Sequence, residues 1–345
     1  MKRFLTKTAI TFAALFLTSL ALDYLITTGL RKVHHSHLTT MNAIMNDSIN
    51  AEVLFYGESR MSAGVNPVVF DSISNGSSYN LAISGQHFLP IYFRHLVYLK
   101  HQRKPKMIVL NIDEIIFSSP YNPGFEKEQY LPYVQEESFR QLLKEGYHFT
   151  WLDFHIPLWR YKGSYKYIFR ALLEEFGIMH SVSPIHKGFY AHEAAMMHQE
   201  NLNQMLQNKP QKIKFDSITL TYLNQFLNEC KQDSIQVILI NTPVYYELQR
   251  AYINWEETFI NIDSLINNKN IPYLNYSDST STFNRQAAYF HDTGHLNKTG
   301  AELFTTQLAH DLDSLNIYPW SKKFASPITH LTQNHYFCPE LGYAT

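Results

Sequence analysis

Val53-Leu54-Phe55-Tyr56-Gly57-Glu58-Ser59-Arg60-Met61-Ser62-Ala63-Gly64 is an apolar run that stops abruptly at a glycine, an acid and a serine. Four consecutive apolar residues bounded by turn formers read as a short strand buried on both faces, the habit of a parallel sheet. A strand ending this way delivers a hydroxyl to the carboxyl edge of its sheet. Gly and Ser after a strand are also ordinary turn formers. The stretch therefore takes its chemical meaning from another near the far end of the chain. There Phe290-His291-Asp292-Thr293-Gly294-His295-Leu296-Asn297 carries an acid and an imidazole three residues apart. These are the other two members of a Ser-His-Asp set. Alone, that segment reads equally as a helix-entry turn, with Asp capping and His solvated.

The pattern around the first stretch repeats along the chain. Short β-rich runs recur at 78–83, 107–112, 236–241 and 271–275, each apolar enough for burial on both faces. Between them lie helical stripes: Phe88, Ile91-Tyr92, His95-Leu96 and Leu99; Tyr222-Leu223, Phe226-Leu227 and Cys230; and Leu248, Ala251-Tyr252, Trp255, Phe259 and Ile262. A last helix over 298–315 is capped by Asn297, with Leu303-Phe304, Leu308, Leu312 and Leu315 as its buried stripe. Alternation of this kind predicts an α/β three-layer sandwich on a mostly parallel, flavodoxin-like sheet of five strands.

The alternation pauses over 117–216, which begins with turn formers and is dense in aromatics, among them Trp151, Phe154, Trp159 and Tyr161. This reads as a helical insertion after the third strand, with helices near 136–145, 165–176 and 193–207. Emerging at the carboxyl end of a strand, it is expected either over the site's rim, as a cap or substrate platform, or as extra packing on a helical face.

Composition narrows the function. The 29 Lys and Arg against 30 Asp and Glu give no electrostatic footprint for nucleic acid. Cys230 and Cys338 are too few for a disulfide framework and too far apart for a local metal clip, and whether they pair stays open. The 17 histidines show no ligand spacing beside an acid, so neither a metal nor another cofactor is expected. The aromatic share of 14% suits core packing, or stacking surfaces for sugars.

The amino terminus reads as an export signal. Lys2, Arg3 and Lys7 precede an uncharged run from Thr8 to Leu22, then Asp23, more apolar residues, and Arg31-Lys32. Ser19-Leu20-Ala21 resembles a cleavage site. Apolar character resuming after Asp23 favours an uncleaved anchor instead, since residues 8–30 exceed the roughly 20 needed to cross a bilayer. Either way the bulk of the chain is expected outside the cytoplasm, held to the cytoplasmic membrane in the anchored case. The resulting organisation is 1–32 signal anchor or signal peptide, 33–50 spacer with a short helix near 38–49, 51–116 with 217–315 as the catalytic domain, 117–216 insertion and 316–345 tail.

In an open parallel sheet, ligands bind beyond the carboxyl ends of the strands. Ser59, Gly85, the segment Asn111 to Glu114, Asn241-Thr242 and the Asp292–His295 loop all fall there. Ser59 is the expected nucleophile, His295 its base, and Asp292 the group that fixes the imidazole tautomer. The backbone N–H groups of Ser59 and Gly85 are the expected oxyanion donors.

These residues resemble the blocks of the SGNH, or GDSL-like, hydrolase superfamily. Gly57-Glu58-Ser59 is similar to its first block with Glu for the usual Asp. Gly85 in Asn80-Leu81-Ala82-Ile83-Ser84-Gly85 matches the glycine of the second, and Asp292-Thr293-Gly294-His295 the closing Asp-x-x-His. The third block departs: where the family has Gly-x-Asn-Asp, this chain has Asn111-Ile112-Asp113-Glu114. An Asp113 carboxylate at the Asn position would repel an oxyanion unless protonated or turned away, which leaves Asn111 as a shifted third donor. With its membrane segment, the chain resembles the alginate O-acetylation and teichoic-acid D-alanylation proteins. The resemblance implies acyl, foremost acetyl, esters of an envelope polysaccharide or glycan as substrate, a covalent acyl group on Ser59, and other envelope acylation proteins as partners. A non-catalytic module of the same fold, binding glycan or scaffolding an envelope complex, is the competing expectation.

Overall fold

The computed structural model describes residues 1–35, 37–117, 127–181, 183, 185–193, 209–260, 262 and 271–315. In chain order its main elements are α1 (Lys2–Lys32), α2 (His37–Met45), β1 (Val53–Tyr56), α3 (Ser59–Gly64), α4 (Pro67–Ser74), β2 (Ser78–Asn80), α5 (Phe88–His101) and β3 (Met107–Asn111). There follow α6 (Glu137–Glu145), α7 (Trp151–His155), α8 (Tyr165–Glu175), α9 (Ser217–Gln232), β4 (Gln236–Asn241), α10 (Trp255–Ile260), β5 (Tyr273–Asn275) and α11 (Lys298–Ser314). The strands form one parallel sheet in the order β2-β1-β3-β4-β5.

Period-two alternation along the strands divides the core into two layers. Val53 and Phe55 of β1, with Val109, Ile238 and Ile240, face Met61, Phe70, Phe304, Leu308 and Leu312 of α3, α4 and α11. Leu54 and Tyr56, with Ile108, Leu110 and Leu239, face the layer that contains α2, α5 and α9. The chain is thus the expected three-layer α/β sandwich. In α11 the cap is Asn297, whose side chain accepts from the Gly300 N–H at 3.0 Å. Leu303 of its expected stripe lies on the surface instead.

Four local readings change. β2 ends at Asn80 because that side chain turns aside to donate to the Met61 and Val65 carbonyls. The chain still follows β1, through Leu81 N–H to Phe55 O and Ile83 N–H to Gly57 O. β5 is an edge strand, only partly buried, and not the two-sided buried strand expected. The third helical stripe breaks at residues 251–254, because Gln211 donates to the Ala251 carbonyl and its own carbonyl accepts from Ile253. Residues 33–50, expected as a spacer, pack into the body: Met41 and Ile44 are buried, and Asn42 donates to the Leu30 and Val33 carbonyls.

The elements between β3 and β4 pack mostly away from the sheet's carboxyl edge, α6 on α5 and α8 along α1. Among the described residues, the segments around Tyr190–His192 and 211–216 approach that edge: Tyr190 N–H donates to Ser62 O, and Phe215 lines a groove with Glu114 and Tyr252. The expected helix near 193–207, the tail from 316 and Cys338 lie outside the described residues. Cys230 is buried, its sulfur 3.9 Å from His95 Nε2.

Gly57 marks the close approach on which the edge depends. Its φ is +156°, and a Cβ there would stand 2.8 Å from Asn111 Cβ and 2.9 Å from Met61 Cβ. Gly57→Ala is expected to cost about 1–3 kcal/mol, read as a lower denaturant midpoint at unchanged slope.

Candidate active site

Ser59 is the first residue of α3, and its hydroxyl meets His295 Nε2 at 2.7 Å across 236 positions of sequence. The other ring nitrogen of His295, Nδ1, lies 2.9 Å from both Asp292 oxygens. Asp292 Oδ1 also accepts from the N–H groups of Gly294 and His295 at 2.8 Å, which closes the loop into a tight turn. Burial pushes this carboxyl up, but the hydrogen bonds from His295 and Gly294 and the nearby imidazole outweigh it and hold the group at about 2. A carboxylate can only accept, so Nδ1 carries the proton. Nε2 is then the ring nitrogen that can accept the serine proton.

Beneath the serine lies the acid of the Gly57-Glu58-Ser59 stretch. Glu58 is completely buried, and one of its oxygens accepts from both the Ser59 N–H and the Ser59 hydroxyl, while the other accepts from Arg60 N–H at 2.8 Å. Burial raises its pKa, yet Arg60, His295 and these hydrogen bonds together bring it below the ordinary carboxylate value. Arg60 is buried too. Its guanidinium forms a two-pronged pair with Glu114, and its Nε lies 3.9 Å from Glu58. Tyr252 donates to the same Glu114 at 3.2 Å. A buried charge persists only when paired and hydrogen-bonded, and this chain of side chains meets that condition.

The expected oxyanion donors are placed differently. Ser59 N–H is engaged by Glu58 in this arrangement. Gly85 sits at φ +67° just past the segment that runs beside Gly57. Asn111 does not reach the serine's side of the edge as a donor. It is buried under Gly57, with its amide donating to Asp113 at 2.6 Å and its oxygen accepting from Thr242 N–H at 2.9 Å. Asp113 is turned away as well, accepting from Ile115 and Ile116 N–H. Burial, with Glu58 and Glu114 nearby, pushes its carboxyl well above the usual range despite Arg60.

Histidines wall the open side. His192 stacks on His291 with ring centroids 4.5 Å apart and meets His295 edge-on at 5.5 Å. Burial, with His295 and His291 beside it, lowers its pKa to about 4, so at neutral pH it places no second positive charge against a protonating His295. Nothing in the sequence pattern links His192 to this edge. Arg60 and Glu114 were legible as charges flanking strand ends, but their pairing was not. A groove of about 870 Å³ runs past Glu114 and Tyr252 and is lined further by Phe117, Phe215, Lys212 and Lys214. Among the described residues no cluster of three or more His, Cys, Asp or Glu suits a metal ion.

No family model and no curated protein matches the chain. Among solved structures it is similar to a protein described as a candidate platelet activating factor from Streptococcus pneumonia. That likeness has 13% identity and a TM-score of 0.39, over 88% of this chain and 99% of that one. A candidate acylhydrolase from Bacteroides fragilis aligns at 15% identity with a TM-score of 0.35, over 75% of this chain and 86% of that one.

Two outcomes are expected from this geometry. Glu58→Ala removes the acceptor of the Ser59 and Arg60 N–H groups while Arg60 keeps its pair with Glu114, so unfolding free energy should fall by about 1–3 kcal/mol. Asp292, lowered from 3.8 to about 2 in the folded chain, contributes stability that is complete above about pH 4 and is lost as pH falls toward 2. Asp292→Asn should flatten that stretch of an acid-unfolding curve while leaving the rest unchanged.

Proposed function

We propose that the chain is an extracytoplasmic serine esterase or O-acyltransferase of the SGNH type. In this reading it acts on acyl esters, foremost acetyl, of a cell-envelope polysaccharide or glycan. The observation that carries the reading is the unbroken hydrogen-bond chain from Ser59 Oγ through His295 to an ionised Asp292.

The serine hydroxyl has one proton and two acceptors, Glu58 and His295. When His295 Nε2 takes that proton, Oγ attacks the acyl carbon and the carbonyl electrons move onto oxygen. The tetrahedral intermediate collapses, the ester C–O bond breaks, and His295 returns the proton to the leaving sugar oxygen. Water or a sugar hydroxyl then gives its proton to His295 and attacks the acyl group on Ser59, and the serine leaves with the proton. Asp292 stabilises the imidazolium at each turn. Gly85 N–H is the proposed oxyanion donor, joined by Ser59 N–H once Glu58 lets it go. The groove beside Tyr252 and Phe215 offers ring faces to a sugar, and Lys212 with Lys214 suits an acidic glycan. The apolar N-terminal helix, long enough to cross a membrane, supports the anchored location.

One observation favours the competing reading of a non-catalytic glycan-binding module: Ser59 N–H and the Asn111 amide are both engaged elsewhere. A fluorophosphonate probe separates the two. Covalent labelling of the wild type and loss of labelling in Ser59→Ala support the enzyme, whereas an unlabelled but folded wild type supports the binding module. Hydrolysis of an O-acetylated glycan should fall on the order of 10⁴-fold or more in Ser59→Ala, measured as acetate release.

A further inference from the structure

We propose that a collar of exposed aromatic side chains around the base of α1 seats the body of the protein in the headgroup layer of the bilayer that α1 crosses. The inference rests on the anchored reading of α1 and adds to it a second contact with the same membrane, made by the folded body.

The anchor helix is welded to the body along its last third. Asp23 accepts from Leu158 N–H at 2.8 Å and pairs with Arg160 at 2.5 Å. The Thr27 hydroxyl meets the Tyr161 hydroxyl at 2.7 Å. Gly29 lies so near α8 that a Cβ would stand 2.0 Å from the Ala171 carbonyl oxygen. Lys32 pairs with Glu175 at 3.0 Å. These partners advance in the same direction along both helices, so α1 and α8 run parallel. Each residue adds about 1.5 Å of rise. Tyr165 therefore stands level with Asp23, each being equally far from the Gly29–Ala171 crossing.

Length then decides where the membrane lies. Between Lys7 and Asp23 only the uncharged run from Thr8 to Leu22 is available, a rise of about 22 Å. The hydrocarbon core of a bilayer is about 30 Å thick. A helix on a flexible tether could meet the shortfall by sinking, but α1 is fixed to the body from Asp23 onward. Sinking the helix sinks the body with it, so the surface level with Asp23 has to tolerate lipid.

That surface carries the composition of a membrane interface. Trp151 is 63% exposed, Trp159 43% and Tyr165 76%, and Leu152 is exposed beside them. α7, which bears Trp151 and Leu152, is fastened to this level by the Asp153–Lys162 pair at 3.0 Å. Lys162 lies over the Trp159 ring, and Lys166 is exposed one position past Tyr165. Tryptophan and tyrosine beside lysines that reach toward headgroups form the aromatic belt of membrane proteins. On a body held away from lipid, so many exposed rings in one place would be an aggregation liability.

The test uses the full chain in a Trp320→Phe background, reconstituted into vesicles of phosphatidylcholine and phosphatidylglycerol, with and without brominated acyl chains. Flotation first reports whether the chain is held by the membrane at all. The emission lost in a Trp151→Ser/Trp159→Ser double variant isolates the collar. The proposal expects brominated lipid to quench that emission roughly twofold or more, as for rings at headgroup depth. Iodide, a quencher confined to water, should reach the wild-type rings less well in vesicles than in detergent, which gives the same answer without the double variant. Flotation with unquenched, iodide-accessible rings overturns the collar and leaves the anchor standing. A chain that does not float overturns both.

Discussion

The carboxyl edge of the sheet is organised by one buried negative charge. Glu58 is completely buried, so it needs donors and a counter-charge within reach. It finds donors in the first turn of α3, which fixes the position of the Ser59 hydroxyl. It finds its counter-charge in Arg60, which is drawn inward in turn. Arg60 then pins Glu114 from the end of β3, and Tyr252 closes the chain. Removing Arg60 would leave both Glu58 and Glu114 without their counter-charge, which makes the arginine the centre of this group.

Bringing His295 to that hydroxyl is the work of the second core layer. Leu296, immediately after the histidine, is buried with Phe304, Leu308 and Leu312 of α11. The same layer holds Met61 and Phe70 from α3 and α4. Burial of α11 on these two helices therefore joins the ends of the domain, and Thr305, accepting from Asn66 N–H at 3.0 Å, fixes the register. The Asp292 turn is further tied to the end of β4, where Tyr245 N–H donates to Thr293 O. Sheet edge and terminal helix thus set the distance between serine and imidazole, and no loop has to find it unaided.

The sheet was legible because its strands are short apolar runs with two-sided burial and its helices carry clear stripes; α11 announced itself through Asn297. The stripe over 248–262 misled because sequence period cannot register that Gln211 would compete for the Ala251 carbonyl. Residues 33–50 looked like a spacer on composition, yet Asn42 is buried there, donating to the Leu30 and Val33 carbonyls and accepting from the Tyr133 hydroxyl at 2.7 Å. Ser59, Asp292 and His295 stood out by type and spacing, and they lie within hydrogen-bond reach of one another. Asn111 carried an expected role only by resemblance, whereas its amide donates to Asp113 just past the end of β3. Arg60, Glu114 and His192 acquire their roles from contacts between segments, which no local window contains, whereas Glu58 acts on its own neighbours Ser59 and Arg60.

Ser59 stands between two acceptors, Glu58 and His295, and the proposed function requires that it carry the acyl group. Mass spectrometry of the chain, acid-quenched during turnover of an O-acetyl ester and mapped by peptide, tests this most directly. An acetyl group on the peptide containing Ser59, appearing with substrate and disappearing as substrate is exhausted, is the predicted result. Turnover with no acyl group on that peptide, or acylation of a different residue, would contradict it.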